Sequence, residues 1–300
     1  MDYRPEIDGL RALAVVPVVL FHAGFSAFSG GFVGVDVFFV ISGFLITSII
    51  LADQSAGTFT VRGFYERRAR RILPALFVVL AVTLLAAWVW MNPLEQRNLA
   101  RSLQRTLLFV SNYHFARETG YFAPDADQWP LLHTWSLAVE EQYYLLFPLL
   151  MLVLLRAGRR WLLVALVMLG LASLLHAELS SRASVESVFY DTRARVWDLA
   201  IGAILAVTGA VQLGRALPAM ARQALAMAGL LMVCAAVGAY DRATPFPGLH
   251  ALLPTLGAAL LIVWATPETW AGRLLGLRGV RRTDQLQRLP VASTVACVYP

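Results

Sequence analysis

A succession of apolar runs, separated by short arginine-bearing connections, constrains this chain more than any single motif. The runs lie at about Leu10 to Phe25, Phe32 to Leu51, Leu73 to Met91, Leu137 to Leu155, Trp161 to Leu175, Val196 to Gln212, Gln223 to Tyr240 and Ala251 to Thr266. A helix needs about 20 apolar residues to cross a hydrocarbon core ~30 Å thick, and tilt or bilayer thinning accommodates the shorter runs. The piece from Leu107 to Phe115 is too short to span alone, which leaves a re-entrant segment or part of another span. A chain that is 58% hydrophobic and 15% charged is too apolar for an ordinary soluble domain. The expected fold is all-α, a polytopic transmembrane helical bundle of about eight spans, with the bilayer as its first partner.

All 25 basic residues are arginine, and the net charge is +6. Because they stand between apolar runs, they read as topology determinants, and no nucleic-acid partner is expected. With the N-terminus in the cytoplasm, 17 of the 25 fall on the cytoplasmic side: Arg4, Arg11, those from Arg62 to Arg71, Arg156 to Arg160, Arg215, Arg222 and the tail. The first run, without a convincing small-residue cleavage site, reads as a retained span. Cys234 and Cys297 support neither a disulfide framework nor a metal site, and no metal spacing is found.

Within the runs, four stretches carry residues that a bilayer tolerates poorly. The first is R-A-L-A-V-V-P-V-V-L-F-H, in which Arg11 and His22 share a helix face roughly 16 Å apart at 1.5 Å per residue. That puts His22 near the middle of the membrane if Arg11 marks its edge, and an intramembrane histidine calls for a functional reading. The second is G-G-F-V-G-V-D-V-F-F-V-I-S-G-F-L-I, where Gly31, Gly34 and Gly43 allow close helix approach. Asp36 there is either an interfacial carboxylate or a partner that fixes the tautomer of His22.

The third stretch, F-Y-E-R-R-A-R-R-I-L-P, places Arg67, Arg68, Arg70 and Arg71 just before an apolar run. The pairs 68/71 and 67/70 sit on adjacent helix faces; they suit both lipid anchoring and bidentate phosphate binding. The fourth, L-L-H-T-W-S-L-A-V-E-E-Q-Y-Y-L, puts His133, Ser136 and Glu140 on one face. Glu140 and Glu141 are costly there unless paired or protonated. Three such groups on one helix do not make a Ser–His–acid triad. Farther on, Arg193, Arg195 and Asp198 form an interfacial belt with an i,i+3 ion pair or a polar rim for a substrate.

Together these four stretches resemble the acyltransferase-3 family of bacterial integral-membrane O-acyltransferases, over Asp2 to about Thr266. The resemblance implies transfer of an acyl group, usually acetyl, from cytoplasmic acetyl-CoA to a hydroxyl of an extracytoplasmic polysaccharide or glycolipid. Lipopolysaccharide O-antigen, peptidoglycan and exopolysaccharide are the acceptor types, and the bacterial inner membrane is the location. Acyl-CoA would be a donor substrate and no cofactor would be permanently bound. The resemblance implies that Arg67, Arg68, Arg70 and Arg71 hold coenzyme A phosphates, with Arg11 at the cytoplasmic mouth. His22 would be the general base or a transient acyl carrier, oriented by Asp36 or Glu140, with Glu141 beside them. His133, Trp135, Ser136, Arg193 and Arg195 are the candidate acceptor-side residues. The alternatives are a proton-coupled transporter or flippase, with His22, Asp36 and Glu140 as relay, and an inactive truncated family member.

After about Leu277 the resemblance stops. The membrane acyltransferase domain is expected over residues 1–272 and an aberrant tail over 273–300. Codons can be chosen for Gln285 to Ala292 that, shifted by one base, read S-Y-S-V-Y-L-W, part of a motif the family carries at this point. The expectation is a frameshift upstream of Gln285 and about two missing terminal spans.

Overall fold

The computed structural model describes residues 4–118, 126, 129–182 and 188–277. The residues described fold into helices, with no strand among them. Twelve α-helices are found there: α1 (Pro5–His22), α2 (Gly34–Ser55), α3 (Val61–Trp90), α4 (Pro93–Leu107), α5 (Ser111–Glu118) and α6 (Thr134–Ala157), followed by α7 (Arg159–Ser181), α8 (Val196–Thr208), α9 (Ala210–Gly214), α10 (Ala219–Ala239), α11 (Leu252–Trp264) and α12 (Trp270–Leu275). Each of the eight apolar runs is occupied by a helix. Five are long and apolar enough to cross a membrane: α2 with the turns leading into it, α3, α6, α7 and α10. Helix α8 and the Leu249–Trp264 segment are apolar but shorter, and α1 carries Glu6, Asp8 and Arg11 in its first half.

The surface is inverted relative to a soluble protein. Trp88, Trp90, Leu85 and Val82 of α3 are exposed, as are Leu146, Val153, Met168 and Leu171 on α6 and α7. Asp36, Arg195, Asp198 and Thr255 are fully buried. Such a distribution suits a solvent of lipid chains, where apolar contact with the surroundings costs nothing and polar groups seek one another inside.

Helix α2 is the axis of the bundle; 61% of its most apolar window is buried, against 22–39% for the other four long helices. Its packing depends on missing side chains. A Cβ on Gly43 would strike the backbone of Leu199, and one on Gly202 would strike the Val40 carbonyl and the Phe44 nitrogen. Helices α2 and α8 thus cross backbone to backbone through a glycine on each side. Gly31 and Gly34 do the same against the Pro17 and Ala14 carbonyls of α1, as the sequence led us to expect.

Among the described residues, the segment between α3 and α6 holds no helix long and apolar enough to cross a membrane. Asn92 and Glu95 make a capping box that starts α4, and a turn with Phe109 at φ 53 leads into α5. Ser111 Oγ donates to the Thr134 carbonyl and Gln142 Nε2 donates to the Phe109 carbonyl, so α4 and α5 brace the start of α6. Helix α12 crosses the boundary expected at 272. A Cβ on Gly9 would meet the Leu275 backbone, so α12 closes against α1. The suspected frameshifted stretch, 278–300, lies outside the described residues.

Candidate active site

Helices α1, α3 and α6 bring the sequence motifs together in two groups, one at the N-terminal end of α1 and one at its C-terminal end. Helix α1 ends at His22, short of the expected Phe25, because Gly24 takes φ 79 and reverses the chain. His22 is therefore a helix-terminal residue. Its Nδ1 lies 2.8 Å from the Val18 carbonyl. A proton on Nδ1 is held there, which makes Nε2 the basic nitrogen. Phe21 packs edge-on against the imidazole, with ring centroids 5.1 Å apart.

His133, at the start of α6, lies within charge range of His22. The His133 ring donates to the Pro130 carbonyl, and Nε2 is buried without a hydrogen-bond partner. Ser136 is spent on its own helix, donating to the His133 carbonyl at 3.3 Å. The two imidazoles thus share one station, each with one nitrogen anchored to a backbone carbonyl.

The second station lies two to three turns away along both helices. Glu140 accepts a 2.5 Å hydrogen bond from Ser42 of α2 and lies within charge range of Arg68, Arg71 and Arg11. Arg68 spreads its guanidinium over the Tyr144 ring, 4.2 Å from the centroid, and its Nε is buried without a partner. Tyr65, one turn before Arg68, donates to the Leu145 carbonyl at 2.6 Å and fixes the rotation of α3 against α6. Glu141 Oε1 is also buried and unpartnered. Neither Arg68 nor Arg71 makes an ion pair among the described residues.

The four-arginine cluster is thereby divided. Arg68 turns inward against α6, and Arg71 stays exposed beside it without an ion pair among the described residues. Arg67 pairs with Asp53 at 2.6 Å and Arg70 with Glu66 at 2.7 Å, both well exposed. The face carrying Tyr65 and Arg68 meets α6, and Arg67 and Arg70 pair away from it.

Three expectations are corrected. Asp36 does not partner His22: its Oδ1 accepts from Arg195 Nη1 at 2.7 Å, with both side chains 0% exposed. Glu140 does not orient His22 either, because its contacts are Ser42 and the arginine station. The Arg193–Arg195–Asp198 rim is not a rim, since Arg195 is enclosed by Phe189, Trp135 and Phe246 at 4.5, 5.6 and 5.3 Å from their ring centroids. Arg195 Nε donates to the Phe189 carbonyl, and Asp198 accepts from Thr255 rather than from Arg195. Trp135 belongs to this enclosure and is 2% exposed. Two carboxylates beside one guanidinium, surrounded by rings, form a buried polar keystone between α2, α8 and α11.

Arg193 alone of that set faces outward. It pairs with Asp191 at 3.0 Å, and Asp191 also accepts from His176 at 2.9 Å. Burial pushes Asp191 up, but hydrogen bonds from Arg193 and His176 outweigh it and hold the carboxyl below its ordinary value. This clasp ties the end of α7 to the turn before α8.

Residues 4–276 match the acyltransferase domain family. The chain belongs to that acyltransferase family. It is 33% identical over 294 residues to the peptidoglycan O-acetyltransferase OatA of Listeria monocytogenes, covering 93% of this chain and 47% of the relative. It is 32% identical to the putative peptidoglycan O-acetyltransferase YrhL of Bacillus subtilis, over 93% of this chain and 46% of the relative. A putative O-acetyltransferase of Staphylococcus aureus is 36% identical over 69% of this chain and 35% of its own length. The chain thus spans about half or less of the relatives it matches. No solved structure matches this acyltransferase-family chain.

Sequence reasoning missed Ser42, Tyr65 and Tyr144, which build the arginine station, and Gln142 and Asn112, which hold the loops beside it. Ser42 interrupts an apolar run one residue before Gly43, and that interruption was the available signal.

Proposed function

We propose that this acyltransferase-family protein is an integral-membrane O-acyltransferase that moves an acetyl group from an acyl-CoA to a hydroxyl of a cell-wall glycan. The observation that carries this reading is the pair of stations: Arg68 and Arg71, without an ion pair among the described residues, beside Arg11, which pairs with Asp8 at 3.7 Å, at one end of α1, and two neighbouring imidazoles at the other. Family membership and the relatives' names support the reaction class and the peptidoglycan-type acceptor. In this reading Arg68, Arg71 and Arg11 bind the nucleotide phosphates at the cytoplasmic face, where planar guanidinium groups give charge-assisted, bidentate hydrogen bonds. The narrow pantetheine arm runs along α1, and the thioester carbonyl arrives beside His22. The N-terminus of the chain is then cytoplasmic and the acceptor approaches from the opposite side.

His22 Nε2 removes the proton of the acceptor hydroxyl as its oxygen attacks the thioester carbonyl. The carbon–sulfur bond then breaks, and the proton on the imidazolium passes to the departing thiolate, so His22 returns to its starting state. His133 Nε2, unpartnered and facing the same space, holds the acceptor hydroxyl or the developing oxyanion in place. Glu140 keeps the arginines spread and limits their repulsion.

The test uses inside-out vesicles containing the chain and radiolabelled acetyl-CoA, with label followed into glycan. Transfer by the wild type that falls about a thousandfold in His22→Ala, at equal membrane abundance, is the expected result. Undiminished transfer in His22→Ala would overturn the assignment of the base.

A further inference from the structure

Helices α8, α9, α10 and α11 enclose a cavity of about 570 Å³ that the acyl-transfer reading does not use. Its wall is formed by side chains that include Leu205, Leu213, Met232, Leu256, Ala259 and Trp264. Leu213 is 68% exposed and Leu256 43%, so the cavity opens sideways toward the bilayer. The one polar atom of note is Trp264 Nε1, a buried donor without an acceptor.

Two arginines flank one end of the cavity. Arg215 follows Gly214, a wall residue, is exposed and makes no ion pair among the described residues. Arg159 donates through Nε to the Val207 carbonyl at 2.5 Å. Its Nη2 stands 3.9 Å from where a Cβ on Gly209 would lie, next to the wall residue Ala210. Arg222 nearby is already paired with Glu268 at 2.6 Å and adds no free charge. Arg215 also feels the charge of Arg4, which places this end of the cavity beside the N-terminus of α1, the arginine-rich end of the bundle.

An apolar slot open to lipid, with two arginines beside its wall that make no ion pair among the described residues and an unmet N–H donor in its wall, has the chemistry of a lipid site. Basic pockets between membrane helices recognise anionic headgroups on the face where positive residues gather. We propose that this cavity seats one acyl chain of an anionic phospholipid, with its phosphodiester held between Arg159 and Arg215. The Trp264 N–H supplies a hydrogen bond to an ester oxygen of the same lipid. The acyl chain of a donor thioester is a poorer occupant, because α1, α3 and α6, which carry the donor station, contribute nothing to the wall.

The experiment is native mass spectrometry of the detergent-purified chain, titrated separately with dioleoyl phosphatidylglycerol and dioleoyl phosphatidylcholine. One saturable equivalent of the anionic lipid is expected, with affinity at least tenfold above that for the zwitterionic one. Arg159→Gln/Arg215→Gln should weaken it by roughly 30-fold, as expected for two arginines at an anionic surface. Ala259→Phe, which fills the slot and leaves both cations, should also reduce it about tenfold; the surface double variant keeps the proposal testable if this core variant fails to fold. Equal retention of both lipids, or an unchanged double variant, would overturn the proposal. So would equal competition by glycerophosphoglycerol, which has the headgroup and no chains.

Discussion

Two arginine–carboxylate assemblies in this protein use the same groups to opposite ends. Around Arg195, a fully buried guanidinium is bonded to Asp36 and the Phe189 carbonyl and walled in by three rings. Around Arg68 and Arg71, the guanidinium groups make no ion pair among the described residues, and Arg71 lies exposed. In the first assembly the cation has an internal carboxylate partner and ties α2 to α8, although Arg195 Nη2, Asp36 Oδ2 and Asp198 Oδ2 are left without a hydrogen bond. The second is short of anions, which is what a phosphate-binding site requires before its ligand arrives. Sequence treated both as candidate binding residues; commitment to an internal partner is what separates them.

The largest effect that sharpens this comparison is on activity. His22→Ala should lower acetyl transfer about a thousandfold, as measured in the vesicle assay, without loss of folded protein. The keystone should behave in the reverse way. Asp36→Ala leaves Arg195 buried without its hydrogen-bonded carboxylate, and removing one member of such a pair costs about 3–5 kcal/mol. We expect fluorescence-detected size exclusion to show a large drop in folded, monodisperse protein. A well-folded Asp36→Ala with selectively impaired chemistry would return Asp36 to the site.

At the arginine station the two faces of α3 should separate cleanly. Arg68→Gln/Arg71→Gln is expected to raise the apparent KM for the acyl donor by roughly 10–100-fold, the loss of one or two charge-assisted hydrogen bonds. Arg67→Gln/Arg70→Gln should stay within about twofold, since exposed pairs contribute little. Equal effects from both double variants would erase the division drawn from the structure.

The smallest effect concerns the outer clasp. Asp191 has a carboxyl held below its ordinary value, so its contribution to stability is full above that value and is lost as pH falls through the depressed one. Thermal unfolding in detergent between pH 5 and pH 2 should show an acid-side decline. Asp191→Asn should flatten it by about a few degrees and leave neutral-pH activity unchanged. An identical decline in the variant would remove the clasp from the account.

What the sequence by itself determined was the solvent, the helices and the motifs. Apolar run length and arginine placement define a membrane bundle because a bilayer admits few alternatives. The glycines of α2 announce close crossings, and the family is readable because four polar stretches survive in an apolar chain. Tertiary structure alone decided the pairings. Asp36 and Arg195 are 159 residues apart, and no local periodicity records that α8 lies against α2. Helix spacing puts 67/70 and 68/71 on adjacent faces of α3, but only the contact of Tyr65 with α6 turns Arg68 inward. Helical geometry sets what shares a face within one segment; which faces meet, and hence which charges are neutralised and which stay available, is fixed by packing between segments far apart in the chain.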